Sequence, residues 1–403
     1  MARLPDSLWR NREGFMALCD VLGAGEGATR IVGGAVRDWL LEIEGNDIDL
    51  ATRLLPEDVI YRLENAGIKA VPTGIAHGTI TAVPEGRPIE ITTLRRDVST
   101  DGRRATIAYT DDWQQDAARR DFTINALYAD PLTGEVHDYF GGLDDLEHRR
   151  VRFIGDAGQR IAEDHLRILR YFRFLARFGA LPPDPHAYEA CTRNANSMMA
   201  LSRERIADEL LKLLALPDPA PVLELMIEGG IFKPILPEVT QSGLDHLRLL
   251  LLREQQAAIT RPSNIVRLAA LLPDDAATGE YIAKRLKLSN KARKRIVAAL
   301  TPTPAHGSPQ ELAYHMGMES AADQILLRAQ LDISGIGQLK DWTVPQLPLS
   351  GRDIIALGVE AGPDVARLLA MVSKQWAKTG FPSRTETEAI AAQLVSDFRD
   401  SIQ

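Results

Sequence analysis

Two adjacent glycines stand where the chain can bind a phosphate group. Gly33 and Gly34 follow a short β-type run, Thr29–Val32, and precede a helical pattern over Ala35–Leu41. Glycine lets a backbone approach a phosphate closely, and the free N–H groups at the start of a helix favour an anion. Arg37, in the first turn of the predicted helix, can reach the same anion. A Gly-Gly pair alone is more often an ordinary turn, so its meaning depends on the residues that follow it.

Three carboxylates follow on two predicted strands. Asp47 and Asp49 are two residues apart on a strand, which places both side chains on one face. Neighbouring carboxylates repel each other unless they share a cation, and ligation by oxygen alone suits Mg²⁺. Glu90 lies in an apolar, β-branched run, Pro88–Thr93, where a carboxylate is costly without a partner. The pattern predicts a Mg²⁺ site at Asp47 and Asp49. For Glu90 it leaves two alternatives, a third catalytic carboxylate or a solvent-facing residue of an edge strand.

A longer polar string, Arg119–Leu127, has residue types that bind nucleotides. Arg119 and Arg120 can hold phosphate, whereas Asp121 and Asn125 can bind ribose hydroxyl groups. Polar and apolar side chains alternate in the second half of the string, which predicts a polar face against an apolar one. The shorter string Arg-Arg-Asp also occurs earlier in the chain, so only the full length is informative.

The segment Glu163–Arg173 repeats charged residues at every third position. Asp164, Arg167, Arg170 and Arg173 would form one ridge on a helix, beside an apolar stripe. Such spacing usually indicates a solvated helix face with Asp–Arg pairs. The consistent use of arginine instead favours binding, because its planar guanidinium group suits phosphates and base edges.

A neighbouring aspartate and arginine can distinguish nucleobases. Cytosine and adenine both present an exocyclic NH₂ donor beside a ring-nitrogen acceptor, which match a carboxylate and a guanidinium group. Uracil and guanine present a carbonyl beside an N–H group, so they would leave buried polar groups unpaired. One Asp–Arg pair in this segment can therefore accept C and A and reject U and G.

Length and composition indicate an ordinary globular protein of several domains. The 403 residues are 45% apolar and 25% charged, which excludes collagen, coiled coil and disorder as whole-chain descriptions. The two cysteines form no CxxC pair, so we expect no zinc and no disulfide scaffold, and a cytoplasmic location fits. The N-terminus lacks the apolar core of a signal peptide, and the longest leucine run, Leu249–Leu252, is too short to cross a membrane.

Periodicity predicts an α+β domain followed by helices. Strands and helices are mixed up to about Leu146, with strand patterns at Lys69–Pro72, Gly78–Val83 and Ile89–Leu94. From Gly158 onward the pattern is mainly helical. The predicted site residues therefore lie in the α+β domain and in the first helices after it.

Charge is distributed unevenly along the chain. The net charge is −8, and residues 1–200 hold 23 arginines but one lysine, Lys69. The densest group of basic residues occupies a 12-residue segment without acidic residues. This group, called the basic cluster below, consists of Lys284, Arg285, Lys287, Lys291, Arg293, Lys294 and Arg295. It predicts contact with an RNA backbone; the alternative is a solvated helix end.

Five strings of this chain resemble the class II tRNA nucleotidyltransferase and bacterial poly(A) polymerase family, within the DNA polymerase β-like superfamily. They are GGAVRDWL, NDIDLAT, RRDFTINAL, DYFGGLDDL and EDHLRILRYFRF, in the family's order and within about residues 31–174. The string LSRERIADELLKLL, Leu201–Leu214, resembles the family's next block. The resemblance implies an α+β fold with a small polymerase-β-like nucleotidyltransferase head followed by an all-helical neck, body and tail. The domains would be the catalytic head at 1–147, the base-recognising neck at 148–216, and the RNA-binding body at 217–308 and tail at 309–403.

The resemblance also implies roles for individual residues. Those that would contact the nucleotide are Gly33, Gly34, Arg37, Arg120, Asp121, Asn125, Asp164, Arg167, Arg170 and Arg173. Within this set, Asp164 and Arg167 would read the base, and Arg170 and Arg173 would hold the phosphates. The helical domains would hold the acceptor arm of tRNA.

The implied reaction follows two-metal logic. With Mg²⁺ bound at Asp47 and Asp49, the 3′-hydroxyl group of the RNA attacks the α-phosphorus of CTP or ATP, and pyrophosphate leaves. One residue departs from the family pattern: Glu42 stands where glycine often follows the Leu pair. This departure affects only the expected geometry of the turn.

CCA addition to the tRNA 3′ end is the function that we predict. Poly(A) polymerases of this family typically carry an Arg/Lys-rich C-terminal extension, whereas this chain ends TETEAIAAQLVSDFRDSIQ. CC-adding enzymes typically lack part of a loop that is full length here, Arg95–Ala118. The alternatives are a poly(A) polymerase, a CC- or A-adding partial enzyme and a non-catalytic RNA-binding protein. We expect a cytoplasmic enzyme with no membrane partner.

Overall fold

The structure is a computed structural model that describes residues 2–43, 47–101, 104–303 and 307–400. It divides into two compact units. The first comprises the chain up to Leu216 together with Leu225–Leu236, and the second comprises Pro217–Glu224 together with the chain from Pro237 onward. Asn46, the first residue of the string NDIDLAT, lies outside the described residues. Within the described ranges, no helix is long and apolar enough to span a membrane.

A mixed β-sheet organises the first unit. The strands of this unit are β1 Thr29–Val32, β2 Asp49–Thr52, β3 Lys69–Gly74, β4 Thr79–Val83, β5 Ile89–Thr93, β6 Arg95–Asp101, β7 Arg104–Tyr109, β8 Leu127–Ala129 and β9 Val136–Asp138. Of these, β6 and β7 form a separate two-stranded ribbon, and the other seven form the sheet. The sheet order is β3-β4-β5-β2-β1-β8-β9. The pair β2 and β5 is parallel, and the other neighbours are antiparallel. The predicted α+β class is confirmed, and the three predicted strands form β3, β4 and β5.

The helices of the first unit surround and follow this sheet. They are α1 Phe15–Val21, α2 Gly34–Leu40, α3 Pro56–Asn65, α4 Trp113–Ala118, α5 Gly142–Glu147, α6 Ala157–Glu163, α7 Arg167–Phe178, α8 Pro185–Arg193 and α9 Arg203–Leu214. Next in the chain is α10 Ala220–Glu228. The strand-glycine-helix order predicted at Gly33 and Gly34 is present, since β1 ends one residue before Gly33 and α2 begins at Gly34.

Three expectations about local structure are wrong. Asp47 lies outside β2, which begins at Asp49, so the two aspartates do not share one strand. Asp164 lies between α6 and α7 rather than on the arginine helix, because its carboxylate accepts the Leu166 N–H at 3.1 Å and ends the first helix. The alternation predicted in Arg119–Leu127 is replaced by a 3₁₀ turn at Thr123–Asn125.

Aromatic side chains join α7 to the loop that carries the RRDFTINAL string. The ring of Phe122 lies 5.1 Å from that of Phe174 and 5.0 Å from that of Phe153. Phe153 in turn stacks on Tyr171, with 5.6 Å between the ring centroids. Phe122 and Tyr171 are fully buried. Aromatic pairs contribute free energy beyond that of burial alone. This cluster therefore holds α7 against the loop that carries Phe122.

The string DYFGGLDDL packs against the same loop and hydrogen-bonds to it. The Asp138 carboxylate accepts backbone N–H groups from Gly142 and Leu143 at 3.0 and 2.9 Å. A Cβ atom on Gly142 would collide with the carbonyl group of Thr123, so glycine is required there. Fully buried Asp145 accepts the Thr123 hydroxyl at 2.6 Å. The resemblance to the family at this string therefore has a packing explanation.

The turn after α2 contains the residue that departs from the family pattern. Glu42 has a left-handed backbone, with φ of 56°. Its N–H group donates to Trp39 O at 3.1 Å, and the N–H of Ile43 donates to Asp38 O at 2.8 Å. These two bonds form a Schellman motif, in which glycine is the usual residue at the left-handed position. Glu42 therefore adopts the conformation that suits glycine.

Replacing Glu42 by glycine should stabilise the first unit by about 0.5–1 kcal/mol, because glycine has no Cβ atom to strain a left-handed backbone. Thermal unfolding measures the effect as a rise in the transition midpoint. The matched control is Glu64→Gly, at an exposed position within α3, which should destabilise by about 1 kcal/mol. Equal losses of stability in both variants would contradict the assigned backbone conformation.

The second unit is helical throughout its described residues. Its helices are α11 Gln241–Gln256, α12 Asn264–Leu271, α13 Ala276–Arg285, α14 Asn290–Leu300, α15 Pro309–Met316, α16 Met318–Leu327, α17 Gly335–Leu339, α18 Gly351–Ala356, α19 Pro363–Lys378 and α20 Arg384–Asp400. The buried Arg253 guanidinium group donates to the carbonyl oxygens of Ile325, Leu326 and Leu331 and so caps α16. The predicted boundaries of head, neck, body and tail stay predictions.

Candidate active site

A cavity of about 470 Å³ in the first unit collects most of the predicted nucleotide-binding residues. It is lined by Gly33, Gly34, Arg37, Arg120, Asp121, Asn125, Asp164, Arg167, Arg170 and Phe174. These residues come from the β1–α2 turn, the RRDFTINAL string, the α6–α7 linker and α7. The sequence therefore predicted a set that converges in space, with Arg173 as the exception.

The glycine turn forms one wall of the cavity. Gly33 has φ of 71° and ψ of −121°, a combination that only glycine adopts without strain. A Cβ atom there would come within 3.4 Å of an Arg120 Nη atom. The turn therefore keeps the backbone bare and leaves room for a guanidinium group beside it, as a phosphate site requires.

A buried carboxylate holds Arg120 in that position. Asp116 accepts hydrogen bonds from Arg120 at 3.2 Å, from Arg119 at 2.8 Å and from the Tyr128 hydroxyl at 2.7 Å. The Tyr128 hydroxyl also accepts from Arg120 Nε at 3.2 Å. Burial alone would raise the pKa of Asp116, but the two arginines and Tyr128 lower it to about 2. Asp116 is therefore ionised at neutral pH and fixes the guanidinium plane of Arg120.

Arg37 is largely buried at the back of the cavity. Its guanidinium group donates to Asp38 at 2.6 Å and to the Asn125 side-chain oxygen. It also lies over the ring of Phe178, 4.1 Å from the centroid. Burial lowers the pKa of Arg37, whereas Asp38 raises it. The residue is thus held by polar contacts on its edge and by an aromatic ring on its face.

Asp121 joins the head to the arginine helix. Its Oδ1 atom accepts from Asn125 Nδ2 and from the Phe122 N–H, both at 2.9 Å. Its Oδ2 atom accepts from Arg170, whose Nε lies at 2.8 Å. Both oxygens therefore have protein partners. In this arrangement Asp121 orients Arg170 and Asn125, which differs from the ribose contact that the sequence suggested for it.

The predicted base-reading pair, Asp164 and Arg167, lies where α6 ends and α7 begins. Asp164 accepts from Arg205 on α9 at 2.7 Å, and Arg167 donates to Glu163 at 2.5 Å and to the carbonyl oxygen of Arg160 at 2.9 Å. Asp164 and Arg167 both line the cavity, although a helix boundary separates them. A carboxylate acceptor and a guanidinium donor thus line the same cavity.

Arg173 is the predicted residue that does not line the cavity. Its Nε atom donates to the buried carboxylate of Glu209 at 2.6 Å. Its guanidinium group also lies over Phe174, 4.7 Å from the ring centroid. Arg170 is also within ion-pair distance of Glu209, at 3.7 Å. Arg170 and Arg173 of α7 are therefore both linked to α9 through the carboxylate of Glu209.

Two of the three predicted catalytic carboxylates, Asp49 and Glu90, are neighbours on the sheet, and Asp47 lies two residues before Asp49. Asp49 is the register partner of Glu90 across the parallel pair β2 and β5. Both side chains and that of Asp47 are exposed. Because β5 lies between β4 and β2, the interpretation of Glu90 as a residue of an edge strand is wrong. The side chain is solvent-facing, as that interpretation expected, but its place beside Asp49 favours the other alternative.

These carboxylates suit a divalent cation. Although the Asp49 side chain is exposed at its surface, surrounding protein atoms displace part of its water and so raise its pKa; Glu90 and Asp47 raise that pKa further, while Arg120 lowers it. A cation would relieve that repulsion, and carboxylate oxygens are the ligands that Mg²⁺ prefers. Among the described residues, no group of three or more His, Cys, Asp or Glu side chains is placed so that it could hold a metal ion.

Comparison with known families matches two regions of the chain. The model described as "Poly A polymerase head domain" matches residues 29–152, and "Probable RNA and SrmB- binding site of polymerase A" matches residues 181–242. The first region contains the glycine turn and all three carboxylates that were predicted to be catalytic. The second contains the two α9 residues that contact Asp164 and Arg173.

Similar proteins extend over nearly the whole chain. The CCA tRNA nucleotidyltransferase 1, mitochondrial, of Danio rerio is 34% identical over 385 residues, covering 92% of this chain and 88% of its own. Its Homo sapiens counterpart is 34% identical over 386 residues, covering 92% and 87%. The chain belongs to the CCA tRNA nucleotidyltransferase family. A crystal structure of the Bacillus stearothermophilus CCA-adding enzyme in complex with CTP is 27% identical, with a TM-score of 0.75, and covers 96% of this chain and 97% of that one.

In this nucleotidyltransferase the basic cluster is partly neutralised by carboxylates that lie outside its 12-residue segment. Arg285 pairs with Glu238 at 2.6 Å, and Arg295 pairs with Asp323 at 2.8 Å. Lys284 pairs with Glu280 at 2.8 Å. Lys287, Lys291 and Lys294 are exposed, and Arg293 is half-buried. The 12-residue segment contains no acidic residue itself, but carboxylates from outside the segment contact its basic side chains in the folded chain.

Several residues of the site escaped the sequence analysis. They are Asp116, Tyr128, Phe174, Arg205 and Glu209. Asp116 had a usable signal, because it precedes Arg120 by one helical turn. Arg205 and Glu209 had none, since only the packing of α9 against α7 brings them to Asp164 and Arg173.

Proposed function

We propose that this enzyme adds C, C and A to the 3′ end of tRNA, taking the nucleotides from CTP and ATP and releasing pyrophosphate. One observation carries the proposal. Asp164 and Arg167 share a cavity with the Gly33 turn and with Arg170, so a single pocket offers base recognition and phosphate binding together. The relatives from Danio rerio and Homo sapiens are both named as CCA tRNA nucleotidyltransferases, which supports this proposal.

Base selection follows from the chemistry of the pair. The Asp164 carboxylate accepts from the exocyclic amino group of C or A, and Arg167 donates to the ring nitrogen beside it. UTP and GTP would place a carbonyl group against the carboxylate, and the unpaired acceptors would disfavour them. The protein therefore needs no nucleic acid template to choose C and A.

Arginines then hold and orient the triphosphate. Arg170 is shared with Asp121, and Arg120 is shared with Asp116, so each guanidinium group is oriented before it meets a phosphate. Preoriented donors cost little reorganisation when negative charge develops on the leaving pyrophosphate. The bare backbone of the Gly33 turn lets the phosphates approach closely.

Asp47 and Asp49 would hold Mg²⁺, with Glu90 as a third carboxylate beside them. When bound, the cation would lower the pKa of the attacking hydroxyl group and neutralise phosphate charge. The residues of this chain supply the position: β2 and β5 place Asp49 and Glu90 side by side at the same level of the sheet. None of the three carboxylates needs to act as a general acid.

Purified enzyme, incubated with Mg²⁺, CTP and ATP, should extend a tRNA that ends before CCA by two C and one A and then stop. Gel analysis of the labelled product at single-nucleotide resolution measures this. A tRNA that already ends in CCA is the control and should gain nothing. Long A tracts in the absence of CTP would instead indicate a poly(A) polymerase, and a product that stops after two C would indicate a CC-adding enzyme.

For the RNA backbone, the exposed lysines of the basic cluster are the best candidates. Lys291 and Lys294 are exposed on α14, one turn apart. Tyr281, on α13, is also exposed and has the Arg285 guanidinium group over its ring, 5.4 Å from the centroid. An exposed aromatic ring among cations is typical of RNA-binding surfaces. Arg285 and Arg295 are better explained by their ion pairs.

The double variant Lys291→Ala/Lys294→Ala should bind tRNA roughly 3–10-fold more weakly at moderate salt and should lower the salt slope of binding by about 1–2, because each phosphate contact contributes about one unit. Fluorescence anisotropy over a range of KCl concentrations measures both. The matched control is Lys69→Ala/Lys212→Ala, which removes two exposed lysines that lie outside the body and tail, the segments predicted to bind RNA. Equal weakening in both variants would mean that the basic cluster has no special role.

The location of the enzyme is part of the proposal as well. We place it in the cytoplasm, on the basis of the two unpaired cysteines, Cys19 and Cys191, which are buried. The relatives from Danio rerio and Homo sapiens carry mitochondrial names. Fractionation of the source cells, with detection by an antibody, would distinguish the two compartments.

A further inference from the structure

The base-reading carboxylate is held from behind by a residue of α9. Asp164 Oδ2 accepts from Arg205 Nη2 at 2.7 Å, while its Oδ1 accepts from the Leu166 N–H at 3.1 Å. Arg205 and Asp164 are about one-quarter exposed. Arg205 does not line the cavity, whereas Asp164 does. Arg205 therefore acts on the pocket only through Asp164.

Asp164 needs such a partner because of its place in the chain. It has an extended backbone, with φ of −152° and ψ of 105°, in the linker between α6 and α7. No helical hydrogen-bond ladder fixes its direction there, and an aspartate side chain rotates readily about its own bonds. A carboxylate has about four acceptor positions. With one position on each oxygen occupied by Arg205 and Leu166, the others stay available in a fixed orientation.

We propose that Arg205 is a positioning residue for nucleotide selection. Its ion pair holds the Asp164 carboxylate in one orientation, so that the remaining acceptor positions of that carboxylate are presented to the incoming base. Acceptors alone match the amino groups of C and A and oppose the carbonyl groups of U and G. This inference rests on the proposed function and adds to it the residue that enforces the choice of base.

The position of α9 does not depend on this ion pair. Ile206 and Leu210 of α9 are buried, and Glu209, one turn after Arg205, binds Arg173. These contacts hold α9 against α7 when Arg205 is replaced. A variant at Arg205 should therefore fold and should affect Asp164 rather than the helix as a whole.

The test compares Arg205→Leu, Arg205→Lys and a control on the same helix, Lys212→Ala, whose side chain is exposed and pairs with Asp208. Steady-state kcat and KM are measured for CTP and UTP on a tRNA ending before CCA, and for ATP and GTP on one ending in CC. For Arg205→Leu we expect the CTP/UTP and ATP/GTP ratios of kcat/KM to fall by about 10–100-fold. Arg205→Lys, which keeps a cation, should restore part of the selectivity. Lys212→Ala should match wild type.

The outcomes separate this inference from the proposed function. If wild-type enzyme adds neither C nor A, the proposed function fails. If wild type adds CCA but Arg205→Leu keeps wild-type ratios, the inference is overturned. A uniform fall of kcat/KM for all four nucleotides, with an unchanged thermal midpoint, also overturns it, because a purely structural role would not distinguish the bases.

Discussion

Replacing Asp49 by asparagine should reduce nucleotide addition by roughly 10³-fold or more, since it removes a charge from the group that would hold Mg²⁺ while keeping the shape of the side chain. Asp49 begins β2, with Glu90 opposite it in register. The substitution leaves the buried strand residues Leu50 and Ala51 in place, so the sheet should persist. Single-turnover incorporation of C into tRNA measures the loss, and tRNA affinity, measured by anisotropy, should change by less than about 3-fold.

The matched control is Glu64→Gln, which removes one exposed carboxylate from α3. It should leave incorporation unchanged. Asp47→Asn should resemble Asp49→Asn if both carboxylates hold the same cation, whereas Glu90→Gln reports on the third position. Turnover of Asp49→Asn within about 3-fold of wild type would rule out the metal assignment. Removing the charge of one metal ligand should slow a two-metal reaction by much more than that.

The sequence predicted well whatever depends on local patterns. The Gly33–Gly34 turn between β1 and α2 and the strands β3 to β5 form as expected. These elements follow from glycine conformation and from period-2 or period-3.6 burial, which a single segment displays. Most of the predicted nucleotide-binding residues also converge on one cavity.

What the sequence did not reveal depends on contacts between residues that meet only after folding. Asp164 leaves the helix because its side chain bonds locally to Leu166 and then to Arg205, 41 residues further along the chain. Asp121 accepts from Arg170, 49 residues further along the chain, a contact that its own string does not indicate. The basic cluster contains no acid in its own sequence, yet Glu238 and Asp323 reach it from elsewhere. Sequence spacing shows which charges are near in the chain, not which ones meet after folding.

A shared feature of the site explains these differences. Arg37, Arg120, Arg167, Arg170 and Arg173 are each paired with a carboxylate of the protein itself. Several like charges in one pocket would repel one another, and the partners reduce that cost while fixing the guanidinium planes. The excess of arginine over lysine in residues 1–200 fits this use, because a guanidinium group can serve a carboxylate and a phosphate at once.

Replacing Arg167 by alanine should lower kcat/KM for both CTP and ATP by roughly 10²–10³-fold, because the ring nitrogen of either base loses its donor. Glu163, which accepts from Arg167 at 2.5 Å, still has Arg160 at 2.8 Å, so its carboxylate stays paired. Arg167→Lys should recover little, since an ammonium group cannot reproduce the planar donor. The matched control is Arg193→Ala, which breaks an exposed Arg–Glu pair of the same spacing on α8. It should leave kcat/KM unchanged.

A double-mutant cycle with Asp164→Ala completes this prediction. If Asp164 and Arg167 read one base edge together, losing either should remove most of the recognition, and the double variant should be only slightly worse than each single one. The coupling should then be at least about 1 kcal/mol for CTP and for ATP alike. Additive losses would mean that the two side chains contact different parts of the nucleotide, and the base-reading pair would have to be sought elsewhere in the cavity.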